Sequence, residues 1–448
     1  MGFRYHPPTR SICSVCEELN KTDISPRIEA CEGRASSSNG YLFHDWYNFV
    51  LGYTPSFPEY MIKLEGITPG DGKVVLDPFV GSGTTQLVCK LRGIPSYGID
   101  ANDFMVFAAS QKLNWTLEAT KILEAADRII EKYQNKQSAI DWSDNEAVKQ
   151  FAKANRSPAL DERYISDKPL AKICLLRDAV DEAALSDEYH DLFLFAISSI
   201  LVPVSNVRYG PGFGVGKMKD DVDVLCVFEE KIQLIAHDLS SVTERQRETK
   251  SITILGDSRS LSQYVDAESI SLMITSPPYP GDHEYTKHSK LELIFNGYAT
   301  DLASFRTIKK RMLRGSTTNL YRENNDRKNV EDIAEIKEVT DLIQERLDND
   351  GATSGFEKLY TKLVWEYFGG MYLTLSECLK VLKPGGKIAL LVSDSHAFKM
   401  VHIQTAQLLK KVGEKAGFVN AEIILWQNKP STSHKYQLRE NILILQKP

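Results

Sequence analysis

The sequence predicts an α/β fold, an open sheet interrupted by helical insertions. Three largely apolar segments, residues 74–76, 270–274 and 388–392, read as buried strands. Longer segments with helical periodicity, such as residues 171–184 and 191–202, lie between them. Strands that alternate with helices are typical of a doubly wound, mostly parallel sheet.

The first strand leads into a glycine-rich turn. Gly81-Ser82-Gly83 follows the strand and precedes a predicted helix over residues 84–92. Glycine lets a ligand approach the backbone closely, and we expect one of the two to need a positive φ. A second predicted strand, residues 96–100, ends in Asp100, and an acid at this position holds ribose hydroxyls in nucleotide-binding βαβ units. The glycine turn and the acid at the end of the second strand together indicate a nucleotide-like cofactor.

Ser276-Pro277-Pro278-Tyr279 directly follows the apolar segment 270–274. Two consecutive prolines cannot donate to a strand ladder, so the chain must leave the sheet at Ser276, at the carboxyl end of a strand. Open α/β sheets bind ligands at that edge. A polar atom, a rigid turn and an aromatic ring there suit a flat base with an exocyclic amine, although the segment taken alone could be an ordinary turn.

Several segments together resemble the motifs of amino-methylating DNA methyltransferases of the N4-cytosine/N6-adenine type, which use S-adenosylmethionine. The matching segments are residues 56–60, 77–85, 276–279, 281–287, 291–293 and 381–387. The resemblance covers about residues 41–110 and 250–448, and it implies a Rossmann-like class I methyltransferase sheet with helical insertions. It implies that the catalytic residues are Ser276, Pro277, Pro278 and Tyr279. It also implies that the cofactor contacts Phe57, Pro58, Asp77, Pro78, Phe79, Gly81, Ser82, Gly83, Thr84, Asp100 and Asp257.

The resemblance also implies a reaction, the methylation of an exocyclic base amine. The Ser276 hydroxyl oxygen and the Pro277 carbonyl would accept hydrogen bonds from a base amine that attacks the sulfonium methyl, and Tyr279 would stack on the base. The base must first be flipped out of double-stranded DNA. No metal or covalent intermediate is required. Asp257 has two interpretations, a contact to the adenine of the cofactor or a cap for the helix that begins at Ser258.

The chain divides into a polar N-terminal extension (1–40), a cofactor-binding half (41–102), a helical insertion (103–250) and a catalytic half (251–448) that contains a charged insertion at about 283–360. The seven cysteines are predicted to be reduced thiols. Cys13, Cys16 and Cys31 have spacing that leaves open both a zinc site and a loop with incidental cysteines.

Both insertions contain candidate DNA-binding residues. Residues 304–328 carry eight basic and two acidic side chains, a net charge of +6. Their Lys309, Lys310, Arg311 and Arg314 could contact phosphates, or could belong to a solvated charged loop. A glycine-rich loop in the helical insertion adds Arg208 and Lys217 as candidate DNA contacts.

The bulk properties set the remaining expectations. The net charge is −6, so any DNA-binding charge must be local. The sequence contains no apolar run of about 20 residues and no N-terminal signal pattern, which predicts a cytoplasmic protein without a membrane partner.

A serine at the head of the catalytic motif favours N4 of cytosine as the target, and a cognate restriction endonuclease is a natural partner. The alternatives are N6-adenine methylation, guanine-N2 methylation of RNA, and an inactive cofactor-binding module that docks on DNA.

Overall fold

The computed structural model describes residues 41–209, 213–281, 283–351, 354–430 and 437–448. Its strands are β1 (Val75–Asp77), β2 (Ser96–Asp100), β3 (Val207–Tyr209), β4 (Phe213–Val215), β5 (Ser251–Leu255), β6 (Ile270–Thr275), β7 (Leu382–Ser393), β8 (Ser395–Ala397), β9 (Val401–Ile403), β10 (Val419–Pro430) and β11 (Gln437–Gln446).

The α-helices are α1 (Ser56–Leu64), α2 (Thr84–Leu91), α3 (Asp103–Leu113), α4 (Ala119–Ser138), α5 (Asn145–Asn155), α6 (Asp167–Asp181), α7 (Asp187–Val204), α8 (Val224–Ser240), α9 (Glu244–Glu248), α10 (Lys290–Phe295), α11 (Leu302–Arg311), α12 (Ala334–Asn349), α13 (Tyr360–Val381) and α14 (Thr405–Ala416). Short 3₁₀ segments lie at His44–Trp46, Ser258–Gln263, Tyr285–Ser289, Thr317–Asn319, Asp326–Asn329 and Glu357–Leu359.

The central sheet has seven strands in the order β10-β11-β7-β6-β1-β2-β5. The pairs β1–β2, β1–β6, β2–β5 and β6–β7 are parallel, whereas β11 runs antiparallel to both of its neighbours. The predicted α/β class is therefore confirmed. The chain moves from β1 outward to β2 and β5, then returns to the other side of β1 with β6. This reversal creates the switch point at which such sheets bind ligands.

Both faces of the sheet are covered because successive side chains on each strand point in opposite directions. On β6, Met273 belongs to a core shared with α13 and α14, while Leu272 and Ile274 belong to a core shared with α1 and α2. Both faces are therefore dry, which explains why the parallel strands lack the alternating polar pattern of a half-exposed sheet.

A third core lies among helices α3 to α8 and also includes α10 and residues 43–47. The buried Asp238 on α8 fixes the segment before α1, because its Oδ2 accepts hydrogen bonds from the Phe43 N–H (2.8 Å) and the Trp46 indole N–H (3.0 Å). This segment is consequently held against the helical region, close to the sheet edge.

The predicted elements differ from the observed ones mainly at their ends. The predicted helix 84–92 ends one residue earlier, at Leu91. The helix predicted at 171–184 instead spans Asp167–Asp181, following Ser166 in extended conformation. Among the described residues, no helix is long and apolar enough to cross a membrane. Cys13, Cys16 and Cys31 lie outside the described residues.

Candidate active site

A cleft with an empty volume of about 770 Å³ opens at the carboxyl ends of β1, β2 and β6. The wall contains eight residues that the sequence predicts to be catalytic or to contact the cofactor: Pro78, Phe79, Gly81, Ser82, Thr84, Asp100, Ser276 and Pro278. Residues of the glycine turn and of the Ser-Pro-Pro-Tyr segment, nearly 200 positions apart in sequence, thus share one cleft.

The turn after β1 depends on two glycines with left-handed backbone conformations. Gly81 has φ 50° and Gly83 has φ 89°, a region that favours glycine. Gly83 does not line the cleft: a Cβ at this position would lie 3.3 Å from the Ala109 Cβ, so the glycine allows close packing against α3. Gly81 lines the cleft, so its position agrees with the predicted cofactor contact, whereas the position of Gly83 does not.

Asp100 closes the turn from the neighbouring strand. Its carboxylate accepts hydrogen bonds from the Gly81 N–H (2.9 Å) and the Asn102 N–H (2.9 Å). Burial raises its pKa from 3.8 to about 6, although the two backbone hydrogen bonds oppose the shift. The carboxylate is thus oriented within the cleft and is ionised at neutral pH.

Ser276 stands where β6 ends. Its hydroxyl donates to the Leu391 carbonyl oxygen of β7 at 3.0 Å, and its Oγ also lies 3.0 Å from the Tyr279 hydroxyl. Because a serine hydroxyl has one proton, the bond to Leu391 leaves Oγ with only acceptor capacity. One lone pair takes the Tyr279 hydroxyl, and the other remains for a ligand.

The two tyrosines near Ser276 have different positions. Tyr279 packs against the core on the α13 side of the sheet, and burial raises the pKa of its hydroxyl, assisted by the negative charge of Glu440. Tyr285 lines the cleft, and its hydroxyl accepts the Tyr279 N–H at 3.1 Å. Tyr285 therefore presents an aromatic side chain to the cleft at a position that sequence reasoning did not single out.

Three residues predicted to contact the cofactor lie behind the cleft wall. Phe57 and Asp77 are fully buried, and Pro58 is also buried. Asp77 accepts a hydrogen bond from Tyr53 at 2.6 Å, and Phe57 packs edge-on against the Tyr53 ring. Tyr53 itself lines the cleft. These three residues therefore support the wall through Tyr53 or the core and do not form its surface.

Asp257 is placed as a cap. Its Oδ1 accepts the Arg259 N–H at 2.9 Å, and its carboxylate also pairs with the Arg259 guanidinium at 2.7 Å. The neighbours Gly256 and Ser258 line the cleft, whereas Asp257 does not. Of the two interpretations given by the sequence, the geometry shows the cap.

Arg259 also holds the far wall of the cleft in place. Its guanidinium pairs with Asp326 at 3.1 Å and donates to the carbonyl oxygens of Lys310 (3.3 Å) and Arg311 (3.4 Å). Arg311, Met312 and Leu313 follow as part of the cleft wall. The charged insertion therefore covers the cleft and is fixed to the residues after β5.

The charged insertion differs from the expectation of a row of free phosphate-binding bases. Lys309 pairs with Glu284, Lys310 with Glu323 at 3.2 Å, and Arg311 with Asp103. The prediction for Arg314 needs correction. Arg314 is buried, and its guanidinium donates to the carbonyl oxygens of Lys309, Lys310 and Met312, so a phosphate contact would break the bonds that hold the end of α11.

Arg208 and Lys217 are placed differently from those bases. Both are exposed, on and just after the antiparallel β3–β4 pair. The nearby Tyr209 hydroxyl bonds to the buried Glu292 on α10 at 3.0 Å, which fixes the hairpin to the region after the catalytic motif. A DNA contact by Arg208 and Lys217 stays a prediction.

Several cleft residues were missed by sequence reasoning: Phe49, Leu51, Gly52, Tyr53, Val80, Ala101, Asn102, Met105, Gly256, Ser258, Tyr285, Met312 and Leu313. One of them carried a usable signal. Asn102 directly precedes α3, and its side chain accepts the Phe104 N–H at 3.1 Å as an N-cap. Met105 lies on α3, and Ser258 and Tyr285 lie in 3₁₀ segments. The others come from loops whose course depends on tertiary packing.

The sheet order, the glycine turn and the strand-end acid at the switch point are the features of a Rossmann-like methyltransferase fold. Residues 51–111 match a family model described as a DNA methylase. This segment runs from just before α1 to near the end of α3 and so contains the glycine turn and Asp100.

Comparisons with individual methyltransferases agree with that match. The chain is 24% identical over 443 residues to the type II methyltransferase M.BsoBI of Geobacillus stearothermophilus, covering 90% of this chain and 86% of the relative. It is 24% identical over 397 residues to M.AvaI of a Nostoc species, covering 78% and 74%. It is 29% identical over 173 residues to M.MjaII of Methanocaldococcus jannaschii, covering 34% and 31%. The resemblance to amino-methylating DNA methyltransferases is therefore confirmed.

Proposed function

We propose that the protein transfers a methyl group from S-adenosylmethionine to N4 of a cytosine that has been flipped out of double-stranded DNA. The observation that carries this proposal is the shared cleft, in which an oriented carboxylate (Asp100) and an acceptor-only hydroxyl oxygen (Ser276) line the same space. The first suits the ribose of the donor, and the second suits the amine of the target.

The residues of the cleft fit this cofactor. Asp100 would accept hydrogen bonds from ribose hydroxyls, because its remaining acceptor capacity lies in the cleft. Gly81 and Ser82 would approach the donor closely, since the turn places little side-chain bulk there. When bound, the donor supplies an electrophilic sulfonium methyl group.

The Ser276 oxygen would act on the target amine. The lone pair of an exocyclic amine is conjugated into the base, so the nitrogen is a weak nucleophile. Acceptance of an N–H hydrogen bond by Ser276 Oγ, assisted by the Pro277 carbonyl, would increase the electron density on nitrogen as it attacks. A neutral hydroxyl accepts more weakly than a carboxylate, which suits the more acidic amine of cytosine. Positioning of amine and methyl supplies much of the remaining rate.

The test of the target is incubation with tritiated S-adenosylmethionine and unmethylated genomic DNA, followed by nucleoside mass spectrometry. The proposal expects N4-methylcytosine. N6-methyladenine would overturn the choice of base while preserving the class of enzyme. Label in RNA alone would indicate guanine-N2 methylation of RNA, and absence of transfer despite donor binding would indicate an inactive module that docks on DNA.

A cognate restriction endonuclease is proposed as the functional partner, because the full-length relatives are type II methyltransferases.

The Asp100 carboxylate gives a pH dependence. With its pKa at about 6, donor affinity should be constant above about pH 7 and fall as the pH decreases through 6. The folded pKa is higher than 3.8, so this group binds a proton more tightly when folded and does not itself promote acid unfolding. Asp100→Asn should bind the donor about tenfold more weakly and lose this pH dependence. Calorimetric titrations between pH 5 and 8 check both results, and an unchanged acid-side decline in the variant would contradict them.

Arg208 and Lys217 are the proposed DNA contacts on the described surface. Replacing both by alanine should weaken binding to every DNA sequence and lower the slope of log affinity against log salt by about 2. A matched control is the pair Lys380→Ala and Lys383→Ala, which lie by the amino end of β7, at the edge of the sheet opposite the cleft. Equal salt slopes for the two double variants would remove Arg208 and Lys217 from the DNA interface.

A further inference from the structure

Tyr285 lines the cleft, and the chemistry described above gives it no role. Its hydroxyl oxygen accepts the Tyr279 N–H at 3.1 Å, which fixes the oxygen and leaves the hydroxyl proton unused. No other hydrogen bond of this hydroxyl exists among the described residues. Burial raises the pKa of Tyr285 to about 12, so the hydroxyl keeps its proton at neutral pH. Tyr285 therefore brings a donor without an acceptor to the cleft wall.

The charged insertion holds Tyr285 in place. The preceding residue, Glu284, accepts a hydrogen bond from the Thr318 hydroxyl at 2.6 Å and pairs with Lys309. The Tyr285 ring lies close to the same insertion, because a Cβ added at Gly315 would be 3.6 Å from its Cε2 atom. The donor is therefore preorganised by its surroundings, as a group that recognises a ligand needs to be.

Ser276 and Tyr285 present opposite hydrogen-bonding groups, and Tyr279 fixes both. Ser276 Oγ lies 3.0 Å from the Tyr279 hydroxyl, whereas the Tyr285 hydroxyl receives the Tyr279 backbone N–H. Ser276 Oγ has only acceptor capacity left, because its proton is donated to Leu391. One cleft thus contains an acceptor and a donor that are each one hydrogen bond from the same residue. Such a pair is complementary to a ligand edge with one donor beside one acceptor.

The Watson–Crick edges of the four bases differ in this pattern. Cytosine has its N4 amine beside N3, and adenine has its N6 amine beside N1, so each offers a donor next to a ring acceptor. Thymine has a carbonyl oxygen beside N3–H, which is the reverse order. Guanine has N1–H beside its amine, so the Tyr285 proton would meet another donor. Enzymes that flip a base commonly read this edge.

We propose that Tyr285 is a specificity-determining residue, which donates its hydroxyl proton to the ring nitrogen beside the target amine while Ser276 Oγ accepts from that amine. For the cytosine of the proposed function, this nitrogen is N3. The inference rests on the proposed transfer to a base amine and adds a base contact outside the Ser-Pro-Pro-Tyr segment. A hydrogen bond to N3 draws electrons away from the amine, so the contact stabilises the flipped base and does not accelerate the transfer.

The test uses a DNA duplex that the wild-type protein methylates, with the target cytosine unchanged or replaced by 3-deazacytosine. The analogue keeps the amine and has C–H in place of N3, whereas Tyr285→Phe keeps the ring and lacks the hydroxyl. Tyr285→Phe should lower kcat/KM on cytosine by about tenfold, the usual size for one lost hydrogen bond, and leave kcat/KM on the analogue nearly unchanged. A purely structural role of the hydroxyl would lower both values equally.

Tyr321→Phe is the matched control. Tyr321 also belongs to the charged insertion, but its hydroxyl has no hydrogen-bond partner in the part of the chain that the structure describes, and it does not line the cleft. This variant should keep the wild-type values on both duplexes.

A second measurement needs neither a variant nor the transfer step. With S-adenosylhomocysteine present, the wild-type protein should bind the duplex with the target cytosine about tenfold more tightly than the duplex with 3-deazacytosine. Each base is placed opposite an abasic site, so that neither has a pairing partner to lose on flipping.

Two results would overturn the inference and leave the proposed methylation intact: equal losses on both duplexes in Tyr285→Phe, or equal wild-type affinities for the two abasic duplexes. If the wild-type protein methylates adenine, 1-deazaadenine replaces the cytosine analogue with the same expectations, because N1 lies beside N6. Absence of transfer to any base amine would instead remove the proposed function, and the inference with it.

Discussion

Ser276→Ala should lower kcat by about 10²–10³-fold while leaving the affinity for S-adenosylmethionine unchanged. The expected size is that of losing one preorganised hydrogen-bonding group at a reacting centre. The loss should appear in kcat because the interaction with the amine strengthens as nitrogen attacks, whereas donor binding depends on other parts of the cleft. Single-turnover methyl transfer and calorimetric donor binding measure the two quantities separately.

Two further variants sharpen this result. Ser276→Ala combined with Pro277→Ala should abolish detectable transfer while donor binding persists. Ser271→Ala is the control, because Ser271 lies on the same strand, and its hydroxyl meets the Val74 N–H at 3.4 Å, away from the cleft. Wild-type turnover by the double variant would refute the assignment of the catalytic motif.

Gly369→Ala should destabilise the folded protein by about 3 kcal/mol. Gly369 lies within α13, where alanine is ordinarily favoured over glycine by about 1 kcal/mol. A Cβ there would lie 2.6 Å from the Arg327 backbone nitrogen and closer still to the Asp326 carbonyl. Backbone atoms cannot rotate away as a side chain can, so the segment Asp326–Asn329 must move.

That movement should also affect the cleft. Asp326 pairs with Arg259, which holds the backbone of residues 310 and 311 over the cavity. Gly369→Ala should therefore lower both Tm and donor affinity, as thermal melting with and without S-adenosylhomocysteine would show. Gly370→Ala is the matched neighbour: its Cβ would meet the tip of Leu313 at 2.6 Å, a side chain that can rotate, so its cost should be smaller. Equal melting temperatures for both variants would contradict the expectation.

The sequence located the most informative parts of the cleft correctly, for local reasons. A positive φ was expected for one glycine of the turn, and both Gly81 and Gly83 show one. The two prolines forced the chain out of β6, which places Ser276 at the ligand-binding edge of the sheet. Asp100 ends β2 and lines the cleft. Each of these predictions depends on a property of one residue or one turn.

The less accurate predictions concern residues whose roles depend on distant partners. Phe57 shares a motif with residues of the wall, yet the turn of α1 directs it into the core behind Tyr53. Arg314 looks like a phosphate contact among its basic neighbours, yet backbone carbonyls of the same insertion take its donors. Neither orientation follows from local sequence.

The sequence by itself determined the α/β class, the order of the glycine turn and the Ser-Pro-Pro-Tyr segment, and the chemical groups brought to the sheet edge. These depend on hydrophobic periodicity and on backbone rules for glycine and proline. Only the tertiary structure decided which side chains form the cleft surface, that the charged insertion covers it, and that Tyr285 and Ser276 share it. Those outcomes depend on contacts between residues far apart in the chain, whose geometry is set by packing of whole elements and not by local preference.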